Sequence, residues 1–474
     1  MRLVCLKIAR KEFIEVARDG RFRWAFGAIF TLLAASLLMG WRHYAEVNRQ
    51  IEAARAEQRE LWLNTPDRNP HSAAHHGLYV FKPVMPLSAV DNGIDSYSGV
   101  SFLLDAHDQN LSQHKPVEDT TAIQRFSETT AATTLQILIP LLIVLLTFPS
   151  FAGEREQGTL RLLLSLGVRR RDLAFGKGLG AAGPILLLLI PATVIGVLAM
   201  RLATTTEGTP RGWEMSWARL SAMVLGYLVY FTIFAGVSLM VSARAATARM
   251  ALVTLLAFWF INCLVAPRVM ADAARHAVRL PATSEFLQRI DEDKKQVPPD
   301  WQERITAQLM AQYGVRKVED LPVDPLGAHL IEGDKIDSAI YEKNFNQLFS
   351  AYERQERIYQ AGGAFAPMLA MQTLSTGLAG TDLNQLRHFT HAVGEYRKQW
   401  LKVLNEDIFF NRRPGQMVYT RGRDLWEQVP EMKYDPPGLV WVLSRYQLSI
   451  GLLAGWGLLV VIATPLALAK VKVD

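Results

Sequence analysis

Hydrophobic and polar positions alternate on a coarse scale along this chain. Six uncharged apolar runs, at 24–41, 129–152, 178–200, 220–243, 250–267 and 446–469, are separated by charge-rich stretches. Each run holds about 18 to 25 residues, enough for a helix to cross a hydrocarbon layer roughly 30 Å thick. Backbone N–H and C=O groups find no partner in lipid, so a spanning run must satisfy them internally, as a helix does. A soluble enzyme would have to bury six such runs in one core. The pattern predicts an all-α polytopic membrane protein with six transmembrane helices.

Ahead of the first run, residues 1–22 read as an amphipathic helix on the cytoplasmic surface. Leu3, Leu6, Ala9, Phe13, Ile14, Val16 and Ala17 share one arc, interrupted by Arg10, while Lys7, Lys11, Glu12, Glu15 and Arg18 fill the other. Such a helix lies along a membrane surface; a frayed basic tail that only orients the first span is the plainer alternative. The first apolar run is too long for a signal peptide and lacks a small-residue cleavage site, so it is expected to stay as an anchor. Orientation follows from short-loop charge. The amino terminus, the 153–177 loop, the turn bearing Arg244 and Arg249, and the tail 470–474 with Lys470 and Lys472 are all basic. They share one side if six spans alternate, and the positive-inside rule makes that side the cytoplasm. Both termini are then cytoplasmic, in a bacterial inner membrane, and segments 42–128, 201–219 and 268–445 face outward.

The outer loop 42–128 opens with a helical, charge-rich run, Asn48–Leu63, and turns irregular after Thr65-Pro66. Segment 271–445 is long enough to be a domain. Its periodicity is helical in Trp301–Tyr313, stopped by Gly314, in Asp337–Tyr359, and most clearly in Asp382–Leu404. There Leu383, Leu386, Phe389, Val393, Tyr396, Trp400 and Leu404 recur at three- and four-residue steps. An α-rich extracytoplasmic domain between spans 5 and 6 is expected. Within it, 358–381 is uncharged and long enough to span, but holds glycines, a proline and scattered Gln, Ser and Thr. It reads as a segment at the outer membrane surface or packed within the outer domain, with a seventh span as the alternative.

Composition narrows the function. The formal net charge of +6 reflects orientation rather than nucleic-acid binding, since no basic stretch is interleaved with aromatics. Cys5 and Cys263 fall near the amino terminus and inside a span, so no disulfide framework is implied. No G-x-x-x-x-G-K-[ST], H-E-x-x-H, G-x-S-x-G or C-x-x-C occurs, so the chain is expected to be non-catalytic and to need no cofactor of its own. The spans hold no acidic residue, and Gln136 and Asn262 are their notable amides, which argues against an ion-driven carrier. His71, His75 and His76 form the one local histidine cluster. A helix would put His71 and His75 on one face, whereas Pro70 and Gly77 favour a loop. Three imidazoles without a carboxylate or Cys nearby make a sparse donor set for zinc or copper.

The polar insert 151–178 is the densest chemistry between two spans. Glu154 and Glu156 can meet exposed N–H groups of a short helix, and Gly158-Thr159 suits a change of direction. Leu160, Leu163 and Leu164 offer an apolar face to a partner's groove, and Arg169, Arg170 and Arg171 can pair with acidic groups or anionic headgroups. From charge alone, a solvated loop that merely orients two spans is an equal alternative. The order of its parts, however, resembles the coupling segment of the type-two class of ATP-binding-cassette exporter permeases. These parts are the start Glu154-Arg155-Glu156, then Gly158-Thr159, Leu162–Ser165, Arg169–Arg171, and Gly176-Lys177 entering the next span. Where that family often has proline after the Leu/Ser stretch, Leu166-Gly167 stand here. The outer domain looks like that of a less characterised branch, on Gly380-Thr381-Asp382, Phe389 and Tyr396-Arg397.

The resemblance implies an exporter permease whose loop, 153–177, is moved by a separate ATPase subunit that binds ATP and magnesium. It also implies a second permease chain, identical or related, and contact with membrane lipid. A periplasmic partner for the outer domain is a further expectation. The alternative function is mechanotransmission, in which the ATPase moves the outer domain against an envelope partner and nothing crosses the membrane.

Overall fold

A computed structural model describes residues 2–109, 130–203 and 213–469. The principal helices are α1 (Arg2–Arg18), α2 (Gly20–Leu63), α3 (Pro70–Ala74), α4 (Ala131–Glu156), α5 (Thr159–Ser165), α6 (Arg170–Ala203) and α7 (Trp213–Arg244). They continue with α8 (Ala248–Ala277), α9 (Thr283–Lys295), α10 (Trp301–Tyr313), α11 (Pro325–Ala361), α12 (Pro367–Ala379), α13 (Leu383–Asn411) and α14 (Gln447–Ala469). Six of them, α2, α4, α6, α7, α8 and α14, are long and apolar enough to cross a membrane, and each falls on one of the six apolar runs. The tail 470–474, and residues 110–128 and 204–212 of the loops expected to face outward, lie outside the described residues.

The bundle core is organised on α7, whose Tyr227, Tyr230, Phe231, Ile233 and Phe234 are buried against α4, α12 and α14. Two spans open a π turn just before a proline, and in α4 a side chain of α7 takes up the freed carbonyl. Pro140 lacks the N–H that would meet the carbonyl of Gln136. A wide π turn, Thr134–Leu138, opens there, and the Tyr230 hydroxyl donates to Gln136 O at 2.8 Å. A second π turn, Ile261–Val265, precedes Pro267 in α8. Near the other end of α4, where Pro149 follows Phe148, Ser242 of α7 joins the backbone: its hydroxyl donates to Phe148 O at 2.6 Å and accepts from the N–H groups of Phe151 and Ala152 at 3.0 and 3.2 Å.

Segment 358–381 takes a course the sequence did not suggest. Its helix α12 has 13 residues, roughly 20 Å at 1.5 Å per residue, too short to cross the hydrocarbon. It does not lie on the surface either. Met368, Leu369, Ala370, Met371, Leu374 and Leu378 are buried, with α7 and α14 against it. Its buried hydroxyls are matched: Ser375 donates to Asp91 at 2.6 Å and meets Tyr227 Oη at 3.0 Å, and Thr373 meets Ser449 at 2.8 Å. Asn262, one of the two span amides, accepts the Met368 N–H at 3.3 Å at the helix start. Gly377 lets the ring of Tyr446 come within 2.1 Å of where a Cβ would stand. The scattered Ser and Thr of this segment are thus its attachments to the spans.

Above the bundle sits a polar domain that draws on two parts of the chain. α2 is one helix of 44 residues, roughly 66 Å long, so it joins the first apolar run and the helical run Asn48–Leu63 without interruption. After α3 comes an antiparallel hairpin of β1 (Leu78–Phe81) and β2 (Ser101–Leu104), with Leu78 opposite Leu104 and Phe81 opposite Ser101. The first loop is therefore more regular than its composition suggests. Strands of four residues are too short to leave a readable alternation. Trp62, Phe102, Phe389, Trp400 and Trp426 form one core, so segment 271–445 shares its interior with segment 42–109. The indoles lock it: Trp62 Nε1 donates to Trp426 O at 3.1 Å, and Trp426 Nε1 to Thr65 O at 3.0 Å. The spacing read in α13 appears as its buried face, Phe389, Val393, Tyr396, Trp400 and Leu404.

Candidate functional site

The 151–178 stretch folds as the end of α4, the short α5 and the start of α6. Gly158 has φ +73° and Gly167 φ +79°, left-handed conformations that a side chain resists, so glycine begins and ends α5. Between them α5 divides by face. Leu160 is buried, and Leu163 and Leu164 partly so, against Phe151, Leu173, Leu239 and Ala243 and against Ile8 of α1. Arg161, Leu162, Ser165 and Leu166 face out, and the two leucines are 59% and 71% exposed. The apolar face expected at Leu160, Leu163 and Leu164 therefore serves the protein's own core. The edge left for a partner is Leu162 and Leu166.

The charges of the loop fall into two clasps. In the first, Lys177 Nζ, its side chain 1% exposed, donates to Glu154 Oε1 at 2.8 Å and to Glu12 Oε1 at 2.7 Å. Lys11 approaches Glu154 from outside at 3.5 Å, and the Lys177 ammonium lies 5.5 Å over the ring of Phe151. Burying an ammonium demands such partners. α1 can reach it because α6 presents glycines at that face. Cβ atoms placed on Gly176, Gly180 and Gly183 would stand 2.6, 2.5 and 2.7 Å from Ile8, Glu12 and Phe13. Glu12, assigned to the polar arc of α1, thus points inward.

In the second clasp Arg155 donates to the carbonyls of Ala243, in the last turn of α7, and of Ala245 just beyond it, with 2.6 Å to Ala243. Cations suit a helix carboxyl end. Glu156 accepts the Ala248 N–H at 3.1 Å at the start of α8, where an anion is favoured. Thr159 donates to Glu154 O at 3.2 Å. Glu154, Arg155, Glu156, Thr159 and Lys177 thus fix six helices together, α1 and α4 to α8, whereas Arg161, Arg169 and Arg171 are exposed and Arg170 is partly so. Sequence reasoning missed Glu12, Leu162 and Gly180. The i, i+4, i+7 glycine spacing on α6 was the readable sign of a closely packed helix.

A second cluster lies in the polar domain. Asn69 accepts the N–H groups of His71 and Ser72 at 2.9 and 3.3 Å, and Pro70 starts α3. His71 and His75 then sit one turn apart, with ring centroids separated by 4.8 Å. Their third neighbour is His107, after β2, with its ring 5.1 Å from both. His76, grouped with them by sequence, turns away to Ser72 O and Arg68. Burial, with His107 and His75 adjacent, pushes His71 down to about 4. The Asp337 carboxylate holds His107 above the usual range for histidine.

Residues 6–371 match the family described as ABC-2 family transporter protein. A 132-residue stretch is 33% identical to the probable ABC transporter permease protein NosY of Stutzerimonas stutzeri, covering 27% of this chain and 45% of that relative.

Proposed function

Because the chain belongs to the ABC-2 transporter family, as a multi-pass membrane subunit of an ABC transporter, we propose that α5 is the element on which a separate ATPase subunit acts to drive export. The observation that carries this reading is the outward pair Leu162 and Leu166 on a helix otherwise fastened to the bundle. Two apolar side chains on a short helix, flanked by Arg161 and Arg169, suit a groove with an acidic rim. The clasps make the contact effective. A push on α5 passes to α4 through Glu154 O, to α6 and α1 through Lys177, and to α7 and α8 through Arg155 and Glu156. The partner binds ATP and magnesium, and a second permease chain completes the transporter. The basic side of the membrane, carrying α5, is the cytoplasmic one.

A second reading, mechanotransmission to an envelope partner, is favoured by one observation. α2 continues from its apolar run into the polar domain as one unbroken helix. The test common to both readings is the double variant Leu162→Asp/Leu166→Asp. Loss of two buried contacts worth about 2 kcal/mol together lowers ATPase co-purification on the order of thirtyfold, with the spans still folded. Co-purification and ATP turnover equal to wild type would contradict the assignment.

A further inference from the structure

We propose that His71, His75 and His107 form a binding site for a divalent transition-metal ion, with one coordination position open to an adjoining cavity of about 290 Å³. Their ligand nitrogens all lie within 4.8 Å of one another. A tetrahedral ion with metal–nitrogen bonds of roughly 2.0–2.1 Å holds its nitrogens about 3.4 Å apart. His75 and His107 are exposed, so small rotations of their side chains close the difference.

Three features distinguish this from a chance surface patch. The donors come from segments brought together only by folding, α3 and the turn after β2. Each segment is independently fixed: Asn69 and Pro70 hold His71, while Asp105 accepts the His107 N–H at 3.1 Å. Behind that turn, Arg397, almost fully buried, donates to Asp105 O at 2.8 Å and Ala106 O at 2.7 Å and pairs with Asp334 at 3.0 Å. Second, Asp337 lies 3.7 Å from His107 Nδ1. A carboxylate on one imidazole nitrogen orients the other toward a metal and raises its basicity, the usual outer partner of a ligating histidine. Third, His71 Nδ1 is buried with no hydrogen-bond partner among the described residues, a costly state for a polar atom.

Neutral imidazoles select zinc, copper or nickel over magnesium and calcium. Three protein ligands leave room for water or an incoming group, as in exchangeable rather than closed structural sites. The open position faces a cavity that also contains Trp301, His329 and Asn405. A bound ion would tie α3 to the hairpin.

The test uses the full chain in lipid nanodiscs with any affinity tag removed. Zn²⁺ is titrated against a chromophoric chelator, bound metal is counted after dialysis, and Co²⁺ serves as the spectroscopic probe. The expected result is one Zn²⁺ per chain at this site and intense visible bands for low-coordinate Co²⁺. Substitutions His71→Ala, His75→Ala or His107→Ala should weaken binding at least about tenfold, and His76→Ala should leave it unchanged. Zn²⁺ should raise the thermal midpoint of wild type and not of the His107→Ala chain. Should His71→Ala disturb folding, the exposed positions decide through His75→Gln and His107→Gln, read alongside their metal-free midpoints. No stoichiometric Zn²⁺, or a stoichiometry unchanged in the His75/His107 double variant, would overturn the site.

Discussion

Lys177 is nearly inaccessible and sits between two carboxylates, Glu154 and Glu12, that come from different helices. Removing one partner of a buried ion pair leaves uncompensated charge and costs about 3–5 kcal/mol. Lys177→Met should therefore lower the thermal midpoint markedly, and the triple variant Lys177→Met/Glu154→Gln/Glu12→Gln should recover part of the loss. A triple variant no more stable than Lys177→Met would show that the pairing is not what these residues contribute. For the same reason, reversing the charge of Glu154 is a structural lesion rather than a clean uncoupling. The sequence singled out Glu154, Arg155, Glu156 and Lys177 by charge density, but not the direction in which they point. Charge density marks a loop, whereas inward or outward aim depends on which helix arrives opposite. Glu12 arrives from residues far away in the chain. The histidines show the same limit: local clustering found His71 and His75, and only the hairpin supplied His107.

At the scale of elements, α1 against α6 is the contact most dependent on small residues. Gly176 stands where a Cβ would meet Ile8 at 2.6 Å and the Cys5 carbonyl at 3.0 Å. Gly176→Leu should lift α1 off the bundle, and Cys5, a free and partly buried thiol, reports it. Its labelling rate in the solubilised protein should rise several-fold, while Cys263, buried in α8, stays protected. An unchanged Cys5 rate would contradict the packing role of the glycines. The long helices were legible because their apolar runs are long. In α5 the face of Leu160, Leu163 and Leu164 was legible, but not that it packs on the protein's own helices rather than on a partner. α12 hid for a different reason: its Ser and Thr lower its hydropathy, while their partners Asp91, Tyr227 and Ser449 come from other parts of the chain.

Over the whole molecule, the clasped α5 lies at one end, and the unbroken α2 leads to the domain carrying the histidines. Two distant regions of the chain build that domain around Trp62, Trp400 and Trp426, so motion of the spans moves it as one piece. The account rests on α5 being the place where an ATPase makes contact. A photo-cross-linking amino acid at position 162, activated in intact cells, tests this directly. The predicted adduct joins this chain to an ATP-binding-cassette ATPase, and it disappears when the cross-linker is moved to the buried position 160. Adducts to lipid alone, or an ATPase adduct equally strong from position 160, would contradict it.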